Sequence, residues 1–192
     1  MIILLVVVAA GIVAGRIRGG TLHRLGEAHL LWTPIIFVGV ALQGTAAYID
    51  VPAASTALAL ASHLAVFAFA AVNAKRPGMT LLAFGGLLNF LVVAANGAMP
   101  VSPAALARAG IGSPAIGYPD VGGLHELLTD QTRLRFLADV IPIRPLRHVV
   151  SPGDLALWTG LLLAVQGLMI GPGRRVMGAR RPSAPKAEEN TA

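Results

Sequence analysis

Ala53-Ala-Ser-Thr-Ala-Leu-Ala-Leu-Ala-Ser-His-Leu-Ala-Val-Phe-Ala-Phe-Ala-Ala-Val72 is an apolar run with no formal charge. Asn73-Ala-Lys75-Arg76-Pro77-Gly78 follows, and then a second such run, Met79-Thr-Leu-Leu-Ala-Phe-Gly-Gly-Leu-Leu-Asn-Phe-Leu-Val-Val-Ala-Ala95. A helix rising 1.5 Å per residue needs about 20 residues to cross roughly 30 Å of hydrocarbon. Each run has nearly that length. The basic turn between them, broken by Pro77 and Gly78, is what a short loop between two membrane helices requires. Strands are a poor alternative, because a membrane barrel alternates polar and apolar residues and these runs do not.

Outward from this pair, three more apolar segments appear, at about Ile2–Gly15, Leu30–Tyr48 and Leu155–Ile170. The expectation is an all-α, polytopic transmembrane bundle of about five helices. Leu30–Tyr48 has the length to span. Ile2–Gly15 is short and reaches across only if Arg16 and Arg18 snorkel toward the headgroups. The last segment draws extra length from Ser151–Asp154. Of 192 residues 55% are hydrophobic and 12% charged, with a mean hydropathy of +0.72. Soluble domains carry about 25% charged residues, so too little polar surface is present to cover a water-soluble globule. One membrane domain over residues 1–171 is expected, with a disordered cytoplasmic tail at 172–192.

The net charge of +6 does not point to nucleic acid, because the basic residues sit in short runs between apolar segments. Arg16, Arg18 and Arg24, then Lys75 and Arg76, then Arg174, Arg175, Arg180, Arg181 and Lys186 occupy alternate connections. The positive-inside rule then places the N-terminus outside, the C-terminus inside and the protein in the cell membrane. No positive region precedes the first apolar segment, so it reads as a retained helix and not a secretory signal. Cysteine is absent, which excludes disulfides and thiolate chemistry.

The stretch from Asn96 to Asp154 is long for a membrane loop, and long ordered loops usually carry function. It is expected to form a partly ordered outer cap. Pro100-Val-Ser102-Pro103 reads as a turn into a short helix capped by Ser102. Gly110–Gly123 reads as irregular. His125–Leu137 reads as an amphipathic helix, with Leu124, Leu127, Leu128, Leu134 and Leu137 as its apolar contacts. Val140–Leu146 reads as extended or surface-embedded.

Polar residues inside apolar helices are costly in hydrocarbon and face the bundle interior. Gln43, His63, Asn89, Asn96 and Gln166 are of this kind. Asn89 and Asn96 are two turns apart and share a helix face. They stand either as interhelical hydrogen-bonding groups or as a ligand site. Asp139, before a proline break, and Asp154, opening the last helix, form the sharpest pair. Two carboxylates close together in a partly dry place titrate apart, so that one serves as base and the other as acid. The structural alternative is a capping box of Ser151, Pro152 and Asp154, with Asp139 paired to Arg135, Arg144 or Arg147. Those arginines suit either an anionic headgroup or ion pairs with Asp130 and Asp139. Gly11-x-x-x-Gly15 and Gly167-x-x-x-Gly171 read as close helix packing within the chain or as dimer contacts. No HExxH motif, phosphate loop or serine-hydrolase elbow occurs, so neither a metal nor another cofactor is expected.

Several motifs resemble a group of short bacterial polytopic membrane proteins carried only as a domain of unknown function. They are Gly19-Gly20-Thr-Leu22, Asn73-Ala-Lys-Arg-Pro77-Gly78, Leu88-Asn89-Phe90, Asn96-Gly-Ala-Met99-Pro100-Val-Ser102, Thr132-Arg-Leu-Arg135-Phe-Leu-Ala-Asp139-Val-Ile-Pro142 and Ser151-Pro-Gly-Asp154. The resemblance runs to about Ile170. Ala98 and Ala138 stand where that group commonly has glycine. The resemblance implies a membrane protein and no particular activity. A weaker likeness is to signal peptidase II, an aspartyl enzyme with catalytic aspartates at outer helix ends in an order similar to Asp139 and Asp154. That enzyme has four crossings, and its Asp-Arg element is absent here.

Three functions follow as expectations. The first is a non-catalytic accessory or lipid-interacting protein, with membrane lipid, a membrane-protein partner or a second copy as partner. The second is an outer-leaflet hydrolase using Asp139 and Asp154. The third is a small oligomeric transporter using His63, Asn89 and Asn96.

Overall fold

The computed structural model describes residues 2–111 and 124–171. The tail at 172–192 and most of the glycine- and proline-rich stretch after Gly110 therefore lie outside the described residues. Among the described residues seven α-helices form: α1 (Ile2–Ile17), α2 (Leu22–Gly26), α3 (Thr33–Ala46), α4 (Pro52–Val72), α5 (Met79–Asn96), α6 (Pro103–Arg108) and α7 (Pro152–Ile170). Among the same residues four short strands lie between α5 and α7: β1 (Met99–Val101), β2 (His125–Leu127), β3 (Ile141–Ile143) and β4 (His148–Val150).

Of the helices, α4, α5 and α7 are long and apolar enough to cross a membrane. Both α1 and α3 are apolar but shorter. The exposed sides of all five are also apolar. Leu4, Leu5 and Val13 on α1, Phe37 and Val40 on α3, Leu64 on α4, Phe84 and Leu91 on α5, and Leu163 on α7 all face outward. Large apolar residues on every outer face suit a lipid surround, whereas in water they would form oversized sticky patches.

Local chemistry sets the helix limits. Pro52 and Pro152 lie in the first turns of α4 and α7, where a missing N–H costs nothing. Gly97, with φ 90°, closes α5 in the left-handed region and donates its N–H to the Val93 carbonyl at 2.7 Å. The segment expected over Leu30–Tyr48 is helical only over Thr33–Ala46. Its first residues are diverted, because the Asn73 amide accepts from Leu31 N–H at 2.9 Å and donates to Leu31 O at 2.8 Å. A side-chain amide thus takes both backbone groups that a helix would have used.

The helices pack in the spatial order α3, α4, α5, α7, α1. Two contacts are unusually close. On α5, a Cβ on Gly85 would lie 2.6 Å from the Gly153 carbonyl and from the Leu157 amide of α7. At the α1–α7 contact, a Cβ on Gly11 would meet Val165 Cβ at 3.0 Å, and one on Gly15 would meet Met169 Sδ at 2.7 Å. Gly11-x-x-x-Gly15 therefore serves packing within the chain. Gly167 does the same, with Pro77 against it.

The insertion between α5 and α7 is built on β1. Strand β2 pairs parallel to it, with Met99 opposite His125 and Val101 opposite Leu127. On its other side, Asp139 N–H donates to Pro100 O and Ser102 N–H donates to Asp139 O, both at 2.9 Å. Strands β3 and β4 form an antiparallel hairpin. Ser102 caps α6, accepting from Ala105 N–H at 3.2 Å with Pro103 in the first turn, as its sequence requires.

The amphipathic helix expected over His125–Leu137 does not form. That stretch is β2, a turn at Thr129–Thr132, and a single 3-10 turn at Arg135–Leu137. Three competitors remove the helix. The free edge of β1 takes the backbone of His125–Leu127. Hydroxyls of Thr129 and Thr132 bond to the backbone within the turn. The Asn96 amide grips both backbone groups of Arg133, at 2.8 and 3.0 Å. Leu137 is still buried, against Val92, Val93 and Met99, so its apolar role survives without the helix.

Gly85 and Gly44 make a paired test. A Cβ placed on Gly44, in α3, would have no other atom within 4 Å. Gly85→Ala should destabilise the protein by about 1–3 kcal/mol, the cost of overpacking, while Gly44→Ala leaves stability unchanged or slightly raised. Thermal unfolding of both variants in one detergent checks this. Equal melting temperatures would remove the close α5–α7 contact as a stabilising feature.

Candidate functional site

The close α5–α7 contact aims Asn89 at the first turn of α7. Asn89 lies one turn beyond Gly85, on the same face. There is no room between Asn89 Oδ1 and Gly153 for a side chain at position 153. Asn89 Nδ2 donates to Asp154 Oδ1 at 2.7 Å, and Ser151 Oγ donates to Asn89 Oδ1 at 3.1 Å. Ser151 and Asp154 form the reciprocal capping box expected of them. Asp154 N–H donates to Ser151 Oγ at 2.9 Å, and Ser151 N–H donates to Asp154 Oδ2 at 3.0 Å. Three polar residues thus close a hydrogen-bonded ring, with Asn89 and Ser151 buried.

Beside this ring lies a polar cavity of about 100 Å³. Gln43, Ala59, His63, Asn89, Val93, Met99, Leu124, His125, Asp139 and Asp154 line it. It reaches down between α3, α4 and α5 as far as His63, and the insertion roofs it. With about 30 Å³ per water molecule in the liquid, it admits two or three molecules of that size or one small group.

Asp139 enters from the roof. Its backbone is fixed on β1 through Pro100 and Ser102, and the residue is 3% exposed. Asp139 Oδ2 lies 3.6 Å from His125 Nε2. Parallel pairing with β1 is what brings His125 there. Asp139 Oδ1 and Gln43 Oε1 are buried in the same cavity with no hydrogen-bond partner among the described residues. Burial, and secondarily the nearby Asp154 carboxylate, push the Asp139 carboxyl well above the usual carboxylate range.

The expected ion pairs of Asp139 with arginine are absent among the described residues. The arginines are engaged on the surface while Asp139 points inward. Arg135 pairs with Asp130 at 3.6 Å. Arg144 Nε donates to Arg108 O at 2.9 Å, and Arg147 donates to Gly110 O at 3.0 Å. Other candidates hold the insertion together: Asn96 grips Arg133, Ser102 caps α6, and Pro100 is fully buried in β1. Met99 does line the cavity. His125 is the functional candidate that sequence reasoning missed. Its place depends on strand pairing across a long gap, for which no local signal exists. His63 and Gln43 were visible only as isolated polar residues in apolar helices.

All the cavity-lining side chains lie between Gln43 and Asp154, and this whole stretch is matched by one family model. The chain belongs to DUF5317, a family of unknown function, over residues 27–166. No curated protein and no solved structure matches it. The DUF5317 match takes in α3 to α6, the whole insertion and most of α7, and leaves out α1. The Gly19-Gly20-Thr-Leu22 motif therefore lies outside it, while Asn73, Asn89, Asn96, Asp139 and Asp154 lie within.

The cavity sets one acid of raised pKa, Asp139, beside two histidines and a second carboxylate. Beyond Asn89 toward the far end of the bundle, Phe69, Ala70, Met79, Leu82, Ala83 and Ala164 form a buried apolar cluster. Among the described residues no group of three or more His, Asp or Glu is arranged to hold a metal ion.

The raised Asp139 gives a sign-definite pH test. Its neutral form contributes fully to stability below the ordinary aspartate value of about 3.9, and that contribution is lost as pH rises through the raised folded value. A hydrophobic carbodiimide, which attacks protonated carboxyls, should label Asp139 well above the ordinary carboxylate range. Labelling should fall at higher pH, and exposed Asp130 should stay unlabelled. Peptide mass mapping across pH reads the result. Equal labelling of Asp130 and Asp139 would show that burial does not shift Asp139.

Proposed function

We propose that this protein is a multi-pass protein of the cytoplasmic membrane that performs acid–base hydrolysis at its outer face. The observation that carries the catalytic reading is the convergence of Asp139 and Asp154 on one small cavity with two histidines. Perturbed titratable groups gathered in a cavity are a recurrent mark of chemistry. Asp139, whose carboxyl is pushed up by burial, is suited to give a proton. Asp154 is suited to take one. Each of its oxygens accepts one hydrogen bond, from Asn89 or Ser151, which leaves lone pairs free on both.

In the proposed step, Asp154 takes a proton from water. The water oxygen bonds to an acyl carbon while Asp139 gives its proton to the leaving oxygen or nitrogen. The acyl–leaving-group bond breaks, and the elements of water are added across it. A proton then returns from Asp154 to Asp139, with His125 placed to relay it. The small cavity suits one compact reacting group, with the rest of its substrate outside. The second reading, a non-catalytic one, has its own observation: the capping box and Asn89 account for Asp154 structurally without any substrate.

This placement takes five crossings, of which α4, α5 and α7 have the full length. The 16 and 14 residues of α1 and α3 reach about 24 and 21 Å at 1.5 Å per residue, so their flanking residues or local bilayer thinning must complete the span. The alternation of basic connections then puts the cavity end outside. The absence of native cysteine makes the orientation easy to test. In intact cells a membrane-impermeant maleimide should label Asp130→Cys, and it should label Lys75→Cys only after permeabilisation. The reverse pattern would invert the proposed topology.

The chemistry is tested in lipid nanodiscs with acyl-ester and acyl-amide reporter lipids, products being identified by mass. The wild type should release the acyl group. Asp139→Asn and Asp154→Asn should each lower turnover by about 100-fold or more, the scale of losing a general acid or base. Failure of the wild type on both reporter classes, or undiminished turnover by either variant, would leave the non-catalytic reading.

A further inference from the structure

A second concavity lies at the opposite end of the bundle from the Asp139 roof. It measures about 780 Å³ and opens to the surface. Arg24, Glu27, Ala28, His29, Lys75 and Arg76 line it, together with Pro77 and the end of α7. We propose that this groove binds a phosphate group, carried by an anionic lipid headgroup or by a free phosphate species.

The charge balance supports an anion. Arg24 from α2 and Lys75 and Arg76 from the α4–α5 turn converge on one groove, although they are distant in sequence. Its one carboxylate, Glu27, is engaged by His23 Nε2 at 3.0 Å. Among the described residues none of the three cations makes an ion pair. Each arginine is instead steered by a backbone carbonyl. Arg24 donates one N–H to Ile170 O at 2.7 Å, and Arg76 donates one to His29 O at 3.3 Å. A guanidinium has five N–H donors, so most remain for a ligand, and a planar fork suits phosphate oxygens.

The site is held in place. Thr21 N–H donates to Met169 O at 3.0 Å, which ties the start of α2 to the end of α7. Asn73 holds Leu31 and so fixes the approach to α3 beside His29. Leu31 and Trp32, which follow His29 closely, are exposed. Exposed Leu and Trp beside a basic groove fit the headgroup level of a bilayer, where acyl chains would lie against them. A volume of this size admits a whole phosphodiester headgroup.

The experiment uses the full chain in detergent, with thermal unfolding followed on adding phosphatidylglycerol, phosphatidylcholine or inorganic phosphate. Phosphatidylglycerol should raise the melting temperature more than phosphatidylcholine. Lys75→Gln with Arg76→Gln should weaken its apparent affinity by about fivefold per charge removed. Arg76→Lys should recover part of the loss. Arg18→Gln removes the same charge from the same end but outside the groove, and should bind as the wild type does. A response to phosphatidylglycerol alone identifies a lipid headgroup. An equal response to inorganic phosphate, lost in the same double variant, identifies a soluble source. An equal loss in Arg18→Gln, or no difference between the two lipids, would overturn the site.

Discussion

The hydrogen-bonded ring of Asn89, Ser151 and Asp154 is the constraint on which the rest depends. An unpaired polar group buried in an apolar interior costs about 1–3 kcal/mol, so each member must find partners at the α5–α7 contact or destabilise the fold. The ring forms only because Gly85 and Gly153 let the two backbones approach. It also starts α7, since Ser151 and Asp154 supply its cap. One set of contacts therefore fixes the helix pair at the centre of the bundle and sets Asp154 against the cavity.

Two other asparagines repeat this logic at the two ends of the bundle. Asn73 and Asn96 each use a side-chain amide in place of a strand partner, gripping the N–H and C=O of a single distant residue, Leu31 or Arg133. Each grip takes backbone groups that a helix expected from the apolar pattern would have used. At one end it orders the approach to α3 beside the basic groove. At the other it pins the insertion over the polar cavity. Asparagine suits this work, because its amide carries a donor and an acceptor at the spacing of a peptide group.

These same residues show how far the sequence could be read. Apolar length and basic turns made α4, α5 and α7 legible, because a membrane helix is a local object written in hydropathy. Ser102-Pro103 and Ser151-Pro-Gly-Asp154 were legible for the same reason, since caps act over three residues. The limits of α3 were not, because Asn73 acts on Leu31 from far along the chain. The supposed helix at His125–Leu137 failed for that reason too. Its leucine spacing is compatible with a helix, but β1, the threonine turn and Asn96 claim its backbone first. Asp139 and Asp154 were visible as acids near one face, while the arginines expected beside Asp139 bind Asp130 or backbone carbonyls at the surface. His125 could not have been seen, since a three-residue parallel pairing has no signature in one sequence.

A structural role for Asp154 does not by itself argue against chemistry there. Capping takes one acceptor direction from Oδ2, and Asn89 takes one from Oδ1. What remains is a carboxylate held in one orientation, which is what a general base needs if geometry is to be kept through proton transfer. Asp139 is held as tightly, by its own backbone on β1, yet its Oδ1 has no protein partner among the described residues. A purely structural pair would be expected to spend both carboxyls on neighbouring donors. Here one is held by a cap and by Asn89, and the other is buried, raised in pKa and set in a cavity with Gln43 and two histidines. That asymmetry is better matched to a donor and an acceptor of protons than to two struts.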